Sequence, residues 1–124
     1  MLLEENLTRK ILSCAYNVHS ELEPGLLEKT YEECLFYELQ ENGLFVEKQK
    51  ELPLIYKNTA IDVAYRIDLL VENKVVLELK AVEAFTDVHT AQLLTYLKLS
   101  GCRIGFLINF NVASLKQGIK RYIL

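Results

Sequence analysis

The chain predicts an α/β fold, a mixed sheet flanked by helices, and three features of the sequence carry that prediction. Two stretches with apolar residues three and four apart come first, and three extended segments follow them. A third helical stretch then precedes Arg103 to Phe110, an almost unbroken apolar run of the kind a strand covered on both faces requires. About half of the 124 residues are apolar, enough for one core and too few for two, so residues 1–124 are expected to form a single domain.

Leu7, Ile11, Leu12, Ala15, Val18 and Leu22 mark the first helix, over 7–22, with Asn6 or Thr8 able to cap it and Glu23-Pro24-Gly25 ending it. A second helix is predicted from Leu26 to Asn42, burying Leu27, Tyr31, Cys34, Leu35 and Leu39, with Gly43 as a left-handed stop. Glu28 and Tyr31, three apart, project side by side. Leu44 to Tyr56 reads as a strand exposed on one side at Glu47 to Glu51, with Pro53 marking an edge or a bulge. Lys57-Asn58-Thr59 turns the chain into a hairpin, Ile61 to Val71 and Val75 to Lys80. Thr86 or Asp87 caps a helix over Val88 to Leu99, on which His89, Gln92 and Tyr96 form a polar stripe while Ala91, Leu94 and neighbouring leucines face the sheet. The tail, Leu115 to Leu124, is a last strand or a short helix.

Composition narrows the function. A formal charge of −3 opposes a broad grip on phosphate backbones, although Lys98, Arg103, Lys116, Lys120 and Arg121 gather toward the carboxyl end. A homodimer pooling two such basic stripes would ease that difficulty. No apolar run approaches the roughly 18 residues of a membrane span. The amino terminus lacks the basic-then-apolar order of a secretory signal, so a cytoplasmic location is expected. Cys14, Cys34 and Cys102 follow no metal-ligand spacing and read as reduced, mostly buried thiols.

The chemistry concentrates in Arg66 to Lys80, RIDLLVENKVVLELK. Alternation puts Glu78 and Lys80 on one face of their strand, and the turn decides whether Asp68 joins them. A two-residue loop at Asn73-Lys74 would set the carboxylates on opposite sides. A three-residue loop, Glu72 to Lys74 with Asn73 or Lys74 left-handed, pairs Asp68 with Glu78, and this register is the one predicted. Asp68, Glu78 and the backbone carbonyl of Leu79 then offer three hard oxygen ligands to Mg²⁺ or Mn²⁺. Lys80 stands where it can neutralise charge on a phosphorus centre.

Gly25-Leu26-Leu27-Glu28-Lys29-Thr30-Tyr31 fits the signature of the GxxExxY protein family, placed in the PD-(D/E)XK nuclease superfamily. The resemblance continues through Asp68, Glu78-Leu79-Lys80, Gln92 and Tyr96, Ile108 to Asn111, and Gly118 to Arg121. It implies a restriction-endonuclease-like core, α-β-β-β-α-β, with an extra N-terminal helix. It further implies Asp68 and Glu78 as metal ligands and Lys80 as the catalytic lysine. Glu28 would be an added acid reaching the metal or its water, and Gln92 would shape the site. Ile67 stands where the superfamily's name has proline. Tyr31, His89 and Tyr96 would line the same cleft, and Arg66 would hold a carboxylate or a phosphate.

The implied activity is cation-dependent hydrolysis of DNA or RNA. Two other readings fit the same residues: a non-cleaving module that binds nucleic acid or protein, and an enzyme acting on a small phosphorylated substrate.

Overall fold

The computed structural model describes residues 3–124, the side chain of Ala64 excepted. Met1 and Leu2, part of the stretch read for a signal, lie outside it. The elements run α1 (Glu5–Leu22), α2 (Glu28–Glu41), β1 (Val46–Tyr56), β2 (Thr59–Val71), β3 (Val75–Lys80), α3 (Asp87–Ser100), β4 (Ile104–Asn109), a 3-10 turn (Leu115–Gly118) and β5 (Ile119–Ile123). The predicted fold class holds, and both readings of the tail are realised in succession.

The five strands lie in sequence order across one sheet. Neighbours are antiparallel except β3 and β4, which are parallel and joined through α3. A parallel neighbour needs such a crossover, and the apolar run that becomes β4 is buried at every residue because both faces of the sheet are covered. On one face, α1 and α2 pack Ile11, Val18, Tyr31, Leu35 and Leu39 against Leu69, Leu77, Leu79 and Phe106. On the other, α3 packs Leu93, Tyr96 and Leu97 against Val76 and Leu107. Fully burying a leucine contributes ~2 kcal/mol, so these two layers hold the central strands rigid from both sides.

Three local expectations are corrected. The first helix begins at Glu5 behind a left-handed Glu4, so neither Asn6 nor Thr8 caps it. Leu27 precedes α2 and is 77% exposed. Ala91 is exposed, whereas Leu93 and Leu97 face the sheet as expected, joined by Tyr96 and by a partly buried Leu94. Tyr96 therefore belongs to the core side of its helix, and only its hydroxyl reaches the polar stripe.

Gly43 ends α2 in the left-handed region as the sequence implies, and Gly101 ends α3 in the same way. Pro53 sits at a register shift in β1, an edge strand, where its missing N–H costs no ladder bond. Among the described residues no helix is long and apolar enough to cross a membrane.

Candidate active site

The turn between β2 and β3 is the three-residue one. Glu72 and Asn73 are both left-handed, and the pairs Val71–Val75, Leu70–Val76 and Leu69–Leu77 set a register that carries Asp68 to a position across from Glu78. Ladder pairing gives way there to side chains. Glu78 Oε1 accepts the Asp68 backbone N–H at 3.3 Å, and Asp68 Oδ2 accepts the Leu79 backbone N–H at 2.9 Å. The N–H of Leu79 thus faces β2, and its carbonyl leaves the strand on that same edge. The Lys80 carbonyl faces the other way, accepting the Phe110 N–H at 2.9 Å.

Glu78 is only 2% exposed. Burial, followed by the charge and hydrogen bonding of Asp68, pushes its carboxyl up to about 10, and Lys80 only partly offsets this. A buried carboxyl beside a second one must hold either a proton or a cation. The donors are all hard oxygens, two carboxylates and a strand-edge carbonyl, and they suit Mg²⁺ or Mn²⁺, which bind through one or two carboxylates with water and phosphate completing the shell. No group of three or more His, Cys, Asp or Glu side chains closes on one point among the described residues. Glu28 is accordingly a neighbour of the pair and does not complete a three-acid ligand set.

Glu28 occupies the first turn of α2. Glu28 is exposed at the surface, and partial desolvation by the groups packed around its carboxyl is the main cause of its raised pKa. Asp68 and Glu32 add to the rise, while Lys80 and the Ala81 backbone amide oppose it. Gly25, at φ 106°, and Tyr31 set the entry angle of this helix. Tyr31 is fully buried, its hydroxyl donating to the Glu23 carbonyl at 2.6 Å and accepting the Leu26 N–H at 3.1 Å. Its ring stacks on Phe110 at 4.6 Å between centroids. Tyr31 is thus a clamp on the turn before α2 and does not line the cleft.

On the α3 side, Lys80 Nζ donates to Gln92 Oε1 at 3.4 Å, and Gln92 Nε2 donates to the Tyr96 hydroxyl at 3.0 Å. Burial and the nearby Glu78 raise the Tyr96 phenol further above its ordinary range, so it stays a neutral hydrogen-bonding group. Asn109, 3% exposed, holds the loop after Lys80: its Oδ1 accepts the Val82 N–H at 3.1 Å and its Nδ2 donates to the Val82 carbonyl at 2.8 Å.

Two further residues predicted for the cleft are engaged by local partners. Arg66 pairs across the strands with Glu51, 3.6 Å away at an exposed position. His89 closes the amino end of α3, its Nδ1 accepting the Thr86 N–H at 3.1 Å. The basic stripe divides as well: Lys120 lies over the Phe85 ring, whereas Arg121 lies over Phe106 and donates to the Leu3 carbonyl. Alternation along β5 sends the two to opposite faces.

Sequence reasoning missed Gln49 and Glu32. Gln49 Nε2 donates to Glu32 Oε1 at 2.7 Å and to Asp68 Oδ1 at 3.3 Å, and Glu32 is 4% exposed. Glu32 lies one turn beyond Glu28 on the same helix face, a spacing that could have flagged it.

A family model described as PD-(D/E)XK nuclease superfamily matches residues 5–122. A search of curated proteins finds no match. Among solved structures, the crystal structure of SSO0001 is similar in fold, with a TM-score of 0.57 and 22% identity over 77% of this chain and 48% of that one. The chain therefore spans about half the length of that protein. With the family match running through both strands that build the carboxylate pair and through the helices on either side of them, the chain belongs to the PD-(D/E)XK nuclease superfamily.

Proposed function

We propose that this protein is a nuclease that hydrolyses phosphodiester bonds of DNA or RNA, with Mg²⁺ or Mn²⁺ held by the Asp68 and Glu78 carboxylates and the Leu79 carbonyl. The observation that carries the proposal is the interlocked Asp68–Glu78 pair, with Glu78 buried, Asp68 half-buried and too little positive charge nearby to balance both. A divalent cation bound there supplies Lewis-acid polarisation of phosphate and makes water a better nucleophile. Lys80, oriented by Gln92, neutralises charge growing on the phosphoryl oxygens. Tyr96 fixes the Gln92 amide from behind. Glu28 stands beside Lys80 with a carboxyl more basic than usual, suited to taking a proton from the attacking water. We place the chain in the GxxExxY group within its superfamily, because Gly25, Glu28 and Tyr31 have linked jobs: the first and last shape the turn that aims the middle one.

Cleavage of plasmid, single-stranded DNA and RNA in Mn²⁺, compared between wild type and Lys80→Ala, tests this. At least one substrate should be cut, with the rate falling about 100-fold or more in the variant. Equal cleavage by both proteins would refute the assignment, and binding without cleavage would favour a non-cleaving module.

A further inference from the structure

Gln49 holds a conformation that its strand does not need. Among the described residues, the other non-glycine positions with positive φ are Glu4, Glu23, Lys57, Asn58, Glu72 and Asn73, all at helix ends or hairpin turns, whereas Gln49, at φ 52°, lies inside β1. An L side chain seldom adopts this region, and such strain persists where the surroundings enforce it. Its neighbours Lys48 and Lys50 pair normally with Leu69 and Ile67, so the distortion is confined to the position facing Asp68.

From the rest of the chain of contacts, we infer that Gln49 is a positioning residue that fixes the Asp68 carboxylate for its cation. The amide Nε2 carries two N–H groups, and each is directed at a different carboxylate, Glu32 Oε1 and Asp68 Oδ1. Glu32 is anchored in turn by Lys29 Nζ at 3.0 Å. Asp68 is therefore gripped at both oxygens, at Oδ1 by the amide and at Oδ2 by the Leu79 N–H. The neutral amide also lets a buried acid of α2 stand behind the carboxylate pair without touching it. Hydrogen-bond partners of this kind orient ligands and typically change metal affinity 10- to 100-fold.

The inference rests on the proposed cation site, and the test separates the two. Gln49→Gly suits the left-handed backbone but lacks the amide. Its melting temperature in EDTA should stay within a few degrees of wild type, because relief of the left-handed strain offsets the lost amide bonds. Its Kd for Mn²⁺, measured by calorimetry, should rise about 10- to 100-fold. Excess Mn²⁺ should restore its kcat. Gln49→Asn, which also tolerates this backbone but whose amide is one carbon shorter, should show the same loss. Wild-type affinity in both variants, or unfolding of both, would overturn the inference. Absence of Mn²⁺ binding by wild type would remove the cation site itself.

Discussion

Asp68 and Glu78 each stabilise the other's strand: the carboxyl of Glu78 accepts the backbone N–H of Asp68, and the carboxyl of Asp68 accepts the N–H of the residue after Glu78. The two acids thus replace the ladder bonds that would continue beyond Leu69 and Leu77. They hold the sheet together at the point where it opens for chemistry, so stability and ion binding are linked through one pair of side chains.

The first consequence concerns pH. In the metal-free fold the Glu78 carboxyl is raised to about 10 from an ordinary value of 4.5, so between these values the native state binds a proton that the unfolded chain has released. Its contribution is complete below 4.5 and is lost as pH rises toward 10; Glu28, shifted in the same direction, adds to the trend. Melting temperature in EDTA should fall steadily from pH 5 to pH 9, with a Glu78 slope of at most ~1 kcal/mol per pH unit. Glu78→Gln should flatten the profile and be the more stable protein at pH 9. A profile of unchanged slope in that variant would contradict the assignment.

Mn²⁺ should reverse that trend. A cation competes with the proton on Glu78, so its binding should release about one proton near pH 7 and raise the melting temperature more at pH 8.5 than at pH 6. Calorimetry in two buffers of different ionisation enthalpy reads the proton directly, and binding heats independent of buffer would argue against displacement from a buried acid.

Tyr31→Phe isolates the clamp on α2. It keeps the ring on Phe110 and removes a hydroxyl that satisfies the Glu23 carbonyl and the Leu26 N–H. The expected cost is ~1–2 kcal/mol, measured by urea unfolding, with nucleic-acid affinity unchanged because the ring is fully buried. A variant of wild-type stability that binds nucleic acid more weakly would return Tyr31 to the cleft.

Gly118→Ala probes the support of the loop that follows Lys80. A Cβ there would collide with the Asn109 carbonyl oxygen, a backbone atom that cannot swing aside. Overpacking of this kind should cost ~3 kcal/mol and disturb the Asn109 grip on Val82. Chemical denaturation checks it, and a neutral result would mean that β4 and the 3-10 turn separate easily.

The pattern of legible and illegible features has a physical origin. The hairpin register could be read because alternation and loop length leave two options that place Asp68 on different faces. β3 is bounded where VVLELK begins and ends, since a short, largely apolar run follows the polar turn Glu72-Asn73-Lys74 and is buried on both faces. Tyr31 and Tyr96 were ambiguous because a tyrosine packs like an apolar residue yet carries a hydroxyl; the structure buries Tyr31 wholly and leaves the Tyr96 hydroxyl to the site. His89 belongs to a helix end, a local task that its spacing with Gln92 concealed. Gln49 could not be found from pattern, since its function depends on an unusual φ in a strand that otherwise looks merely polar.

Crystals soaked in Mn²⁺ and measured at its absorption edge would locate the cation itself. An anomalous peak is expected between the carboxylates of Asp68 and Glu78 and the carbonyl of Leu79, and it should be lost in Asp68→Ala. A peak elsewhere, or none in wild type at millimolar Mn²⁺, would contradict the proposed cation site.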